Sequence, residues 1–256
     1  MERNLLMPAL VLYLLATIVY LVKYRRAGIG LFGAGAILNT LAVGYRWMDA
    51  GHLPFSNMFE TMMTLGACMF PLFLLTEYGF KSRTGWIDFF LAAAIIFPSC
   101  FIFEDAIKPL PPALQSVLFF PHVLTYLLAY AALAKGMILS LISLVKRNGS
   151  DWKSFEKVAY RITAAGFPLL TAGLLLGGYW AKIAWGDYWS WDPKEVWSLN
   201  TWILYLIYFH VRIATRGRSR WVDIVNILAF LAVVVTLFAV NLAGIFGGGL
   251  HSYANA

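Results

Sequence analysis

The feature that most limits this chain is the repetition of apolar runs long enough to cross a bilayer. A spanning helix needs about 20 predominantly apolar residues. Runs near that length occur at about 5–22, 28–46, 58–79, 87–103, 122–145, 162–180, 195–214 and 222–246. Lipid offers no water to backbone N–H and C=O groups, so such runs must be helices or strands of a closed barrel. The period-2 alternation of barrel strands is absent. The expected fold is an all-α integral membrane protein, a bundle of about eight transmembrane helices forming a single domain over residues 1–256. Composition agrees, because 61% hydrophobic and 13% charged residues is too apolar for an ordinary soluble domain.

The basic residues give an orientation. Lys23, Arg25 and Arg26 follow the first run, and Lys81 and Arg83 the third. Lys146, Arg147, Lys153, Lys157 and Arg161 follow the fifth, and Arg212, Arg216, Arg218 and Arg220 the seventh. Fourteen of the 20 Lys and Arg therefore lie on one side. Arg3, Arg46, Lys108, Lys182 and Lys194 lie on the other, and Lys135 is mid-helix. By the positive-inside rule the four basic connections are cytoplasmic and both termini are outside. This asymmetry and anionic headgroups account for the net charge of +7 without a nucleic-acid partner. The first run has a weak basic n-region and its basic cluster comes after it, so it is read as a span rather than a cleaved signal. Cys68 and Cys100 both fall within runs, so neither a disulfide framework nor a thiolate metal site is expected, and there is no Cys-x-x-Cys-His. The sizeable polar segments are outside loops near 47–57, 104–121 and 181–194 and a cytoplasmic loop near 146–161.

The chemistry-bearing residues gather on the outer face. Of four histidines, His52 lies in the loop GHLPFSNMFE, His122 at the outer end of the fifth run, and His251 just past the eighth. His210 sits inside the seventh. The segment WGDYWSWDPKEVW at 185–197 is dense in both indoles and charges. Within it, Asp192-Pro193-Lys194-Glu195 reads as a helix start, with Asp as cap, Pro at the first helical position and Glu three residues after the cap. His210 is then 17 residues along the helix, about 25 Å in, on one face with Trp202 and Leu206. Upstream, Gly177 and Gly178 allow close backbone approach.

Trp favours the membrane interface, so a cluster of indoles can be an interfacial belt. A belt scatters Trp over many helix ends, whereas Trp180, Trp185, Trp189, Trp191, Trp197 and Trp202 fall within 23 residues and are six of the ten in the chain. The other reading is a flat aromatic shelf for a planar ligand, with outside histidines as axial metal ligands, as in haem. On the residues alone both readings stand. For each histidine a local hydrogen bond competes with ligation. Lys194 pairs either with a lipid phosphate or with a ligand carboxylate, and Lys135 has no assigned role.

WGDYWSWDPKEVW resembles the tryptophan-rich "WWD" signature of haem-handling proteins in cytochrome c maturation. The likeness is greatest to the CcsA family, also called ResC, the membrane component of the system II cytochrome c synthase. It covers most of the chain, through GHLPFSNMFET at 51–61, PHVLTYLLAYAALA at 121–134, the IYFH of the seventh run and NLAGIFGGGLHSY at 241–253. The related haem-delivery protein CcmC shares the WWD loop but has fewer spans.

The resemblance implies a haem b substrate held outside by His122 and His251. It would lie over a cradle of Trp180, Trp185, Gly186, Tyr188, Trp189, Trp191, Asp192, Pro193, Lys194, Glu195, Trp197 and Trp202, a WWD segment of about 180–202. It implies a second, intramembrane haem position at His210, whose opposing ligand comes from the partner CcsB (ResB). It leaves His52 unassigned. Further partners implied are apocytochrome c and a thioredoxin-like thiol reductant, and the setting is a bacterial cytoplasmic membrane or a thylakoid. The activity implied is haem transport and presentation for covalent attachment, as a subunit of a synthase. The alternative is a CcmC-like exporter without ligation activity.

Overall fold

A computed structural model describes residues 1–149 and 151–239. His251 and the rest of the segment 241–253 lie outside the described residues. Among the described residues every regular element is helical. Eight α-helices follow in order: α1 Glu2–Leu21, α2 Arg25–Ala50, α3 Met58–Leu74, α4 Gly85–Phe101, α5 Phe119–Val145, α6 Trp152–Trp185, α7 Pro193–Thr215 and α8 Arg220–Val234. Single π-helical turns prolong α3 over Leu75–Gly79 and α8 over Val235–Ala239. Six of these helices are long and apolar enough to cross a membrane. Of the other two, α4 is short at 17 residues. The 23-residue α7 has the length, but its Trp, Tyr, Asn, His and charged side chains lower its hydropathy. The protein is a multi-pass helical membrane protein.

The helices form two compact units, Met1–Leu114 and Gln115–Ala256. In the first, α1 packs on α2 and α4, and α3 on α2 and α4. Its centre is aromatic: the ring of Phe32 stacks on Phe89 at 4.3 Å and meets Phe73 at 5.3 Å. In the absence of a hydrophobic drive between helices in lipid, close backbone approach at small residues supplies the packing. At Gly66, an added Cβ would lie 2.3 Å from the Ile96 side chain.

One end of this unit holds a buried ionic cluster. Arg46, 1% exposed, donates to Glu60 at 2.9 Å and to Glu2 at 3.2 Å. It also donates to the carbonyls of Asp105 and Ala106 at 2.6 and 3.1 Å. Every charge is paired, as burial requires. The guanidinium so ties α1, α2 and α3 to the loop after α4. The sequence gives no sign of this role, since Arg46 reads there only as one of the basic residues of the outer side.

In the second unit, α5 packs along α6 and α8, and α7 packs on α8. Two expected loops prove shorter. Residues 152–161 continue α6 rather than forming part of a cytoplasmic loop, and α6 runs on to Trp185. At 34 residues and about 1.5 Å per residue it is about 51 Å long, well beyond the bilayer core. Its polar first turns read as a loop because they lack the apolar stretch that marks a span. The connection to α7 is therefore only 186–192, and Trp180 and Trp185 stand on a helix.

Candidate functional site

His122 lies in the opening turns of α5, where its ring is held on two sides by α6. Its Nδ1–H donates to the carbonyl of Gly173 at 2.9 Å. A carbonyl oxygen can only accept, so the proton is on Nδ1 and the lone pair of the neutral ring is on Nε2. The ring lies nearly parallel to the indole of Trp180, 20° between planes and 5.7 Å between centroids. Tyr126, one turn along, meets it edge-on at 5.1 Å. Trp180 is 2% exposed and also packs against Phe119 at 5.6 Å and Trp185 at 4.7 Å. The imidazole is thus fixed in tautomer and in tilt.

The turn from α6 to α7 presents the remaining aromatics. Gly186, at φ +91°, ends α6 in the left-handed region that glycine adopts without strain. Trp191 is left-handed too, at φ +60°, a conformation costly for a bulky side chain. The cap of α7 holds it there. Asp192 accepts from the Lys194 amide at 2.9 Å. Glu195 accepts from the amides of Ser190 at 2.8 Å and Asp192 at 3.2 Å, one on each side of Trp191. The capping box read in the sequence is therefore present, with Pro193 at the first position, and it also clamps the strained tryptophan. Trp191 is 71% exposed and Tyr188 54%. Trp189 packs edge-on against Trp191 at 5.9 Å, and its indole N–H is buried without a hydrogen-bond partner among the described residues.

The chain matches a family model described as Cytochrome C assembly protein over residues 4–246. It is 36% identical to the cytochrome c biogenesis protein CcsA of Mesostigma viride, covering 87% of this chain and 86% of that one. With the CcsA of Chlamydomonas reinhardtii it shares 35% identity over 87% of this chain and 67% of the relative. With that of Prochlorococcus marinus (strain MIT 9312) it shares 33% over 85% and 81%. The chain belongs to the CcsA family.

Its role accordingly lies in cytochrome c biogenesis. A solved structure, the cytochrome c haem lyase CcmF, has the same fold with a TM-score of 0.69 at 19% identity, covering 95% of this chain. This CcsA-family chain spans about half of that protein, 47% of its length.

Other candidate residues of this CcsA-family sequence make contacts of their own. Trp202 stacks on Phe167 of α6 at 5.7 Å and donates its indole N–H to Thr171 at 3.0 Å, so it fastens α6 to α7. His210 is exposed, and its Nδ1–H donates to the Leu206 carbonyl one turn back at 2.7 Å, which again leaves Nε2 with the lone pair. Pro193, Lys194 and Trp197 are half-buried in the first turns of α7. His52 belongs to the first unit. There its Nδ1–H donates to the Leu53 carbonyl at 3.0 Å, and Nε2 is buried without a partner among the described residues. Lys135 is fully buried within α5. Two residues beside His122 had no site role on sequence grounds. Gly173 and Tyr126 gave no local signal. For the Trp189 N–H, burial rather than residue type is the informative property.

Proposed function

We propose that this chain carries haem b across the membrane and presents it, on the outer face, for covalent attachment to the Cys-x-x-Cys-His of an apocytochrome c. The observation that carries the reading is the preset imidazole of His122, its Nδ1–H on the Gly173 carbonyl and its face on Trp180. A histidine ligand to iron characteristically donates its other N–H to a carbonyl or carboxylate, which orients the ring and raises the basicity of the ligating nitrogen. A purely interfacial tryptophan belt needs no such arrangement. The exposed Trp191 and Tyr188 supply apolar area for a flat ring, and the N–H of Trp189, without a partner among the described residues, supplies a donor for an acidic oxygen on it.

In this reading haem enters from the cytoplasmic side, pauses at His210 opposite a ligand from CcsB (ResB), and moves outward to His122 and His251. The apocytochrome's histidine displaces one of these ligands. Each reduced cysteine then adds across one vinyl group: sulfur bonds to one vinyl carbon and the proton goes to the other. No electrons are exchanged, and a thioredoxin-like partner keeps the thiols reduced. The protein contributes position, which for well-oriented reactants is worth up to about 7–11 kcal/mol. The membrane is bacterial cytoplasmic or thylakoid, with both termini outside.

The test is purification of the chain with its CcsB partner after expression with haem b. A bis-histidine haem spectrum is expected. His122→Gly or His251→Gly should weaken it until imidazole is supplied, and His210→Ala should remove a separate haem population. A spectrum unchanged in all three variants would defeat the proposal. Co-expression with an apocytochrome, in a strain lacking its own maturation system, separates synthase from carrier. Covalent holocytochrome marks the former, and bound haem without thioether product marks a CcmC-like exporter.

A further inference from the structure

Helix α6 gives His122 both an acceptor and the room to reach it. The carbonyl of Gly173 takes the Nδ1 proton. In a regular helix that oxygen also accepts the amide of Gly177, and its two lone pairs serve both donors. One turn on, an added Cβ at Gly177 would lie 2.6 Å from Cε1 and 2.9 Å from Nδ1 of His122. An added Cβ at Gly173 would lie 2.9 Å from the ring of Tyr126, which itself packs on His122. Gly178 differs, because a Cβ there would meet the Tyr188 carbonyl at 3.4 Å, an ordinary contact. Around His122 the tight approach is made by an i, i+4 pair on the face of α6 turned to α5. Glycine within a helix costs about 0.5–1 kcal/mol relative to alanine, so each of these two positions gives up helix stability where the fit to α5 demands it.

We infer that Gly173 and Gly177 are positioning residues for the outer haem ligand. The notch at Gly177 admits the imidazole against α6, and the carbonyl at Gly173 holds the proton on Nδ1, so that Nε2 is the nitrogen offered to iron. This rests on the reading of His122 as a haem ligand. It adds that α6, which supplies no ligand of its own, sets the tautomer and tilt of the ligand on α5.

The first test needs no haem. In the full chain with its partner, labelled with 15N-histidine, the His122 signals are identified by their loss in His122→Gln. A protonated Nδ1 and an unprotonated Nε2 are expected. The opposite tautomer overturns the inference. The second test loads haem b into variants. Gly177→Ala should retain about 10–100-fold less haem, the range for losing an outer partner of a metal ligand, and shift the remainder from low-spin towards high-spin. Gly178→Ala should match the parent, and circular dichroism should report equal helix content in all three. A Gly177→Ala protein with the parent's haem content and spectrum overturns the inference. If Gly177→Ala does not fold, the tautomer in the parent protein decides. If His122→Gly leaves the parent spectrum unchanged, the haem reading itself fails, and the tautomer measurement still decides whether α6 orients the ring.

Discussion

The imidazole of His122 and the indole of Trp180 lie almost parallel, 20° between planes and 5.7 Å between centroids. One ring is on α5 and the other on α6, so the stack joins the two helices at the end where the tryptophan-rich turn begins. A residue able to bind iron is thereby backed by a large ring that is itself buried against Phe119 and Trp185.

Removing that backing should affect both stability and the ligand. Trp180→Ala is expected to cost about 3–5 kcal/mol, the range for deleting a buried large aromatic, and to lower haem retention with it. Trp180→Phe keeps an aromatic face and should recover most of both. Thermal unfolding read beside the haem spectrum checks this, and equal haem retention in Trp180→Ala would show that the stack does not support the ligand.

The indole N–H of Trp189 separates binding from folding. It is buried without a partner among the described residues, so its loss removes no hydrogen bond seen there and relieves an unsatisfied donor. Trp189→Phe should therefore leave the unfolding temperature unchanged or slightly raised while reducing haem retention. A variant that loses stability but keeps haem would contradict this.

Glu195 braces Trp191 from both sides through the Ser190 and Asp192 amides. Glu195→Gln exchanges charge-assisted hydrogen bonds for neutral ones, at a cost of about 1–2 kcal/mol. The left-handed Trp191 should then relax. The expected signs are faster proteolysis within 186–192 and a changed tryptophan emission. Cleavage and emission equal to the parent would show that the turn holds its shape without the carboxylate.

The cluster around Arg46 makes a prediction about stability alone. Arg46→Met leaves Glu60 buried without its cation and Glu2 with only the N-terminal ammonium at 3.1 Å, and should destabilise by about 3–5 kcal/mol. Adding Glu2→Gln and Glu60→Gln to Arg46→Met removes the stranded charges and should restore part of that loss. Thermal unfolding of the single and triple variants measures it, and a triple variant no better than the single one would refute the account.

Much of the second unit was legible from sequence. The start of α7 at Pro193 follows from Asp192 and Glu195, whose hydrogen bonds are local and whose spacing is their signature. Trp180, Trp185 and His122 were candidates by residue type, and the structure brings them together. The start of α6 is not legible because residues 152–161 are polar, and a helix that leaves the bilayer no longer needs an apolar sequence. Arg46 reads only as an outer-side basic residue because its partners, Glu2, Glu60 and the carbonyls of Asp105 and Ala106, are scattered along the chain.

By itself the sequence determined that this is a helical membrane protein of the CcsA type with its aromatic and polar chemistry at one turn. Run length, backbone satisfaction in lipid and capping are properties of neighbouring residues. Only the tertiary structure decided which nitrogen of His122 carries the proton and what lies behind its ring. The acceptor is 51 residues away on another helix, and the approach depends on Gly177 having no side chain just where α6 crosses α5.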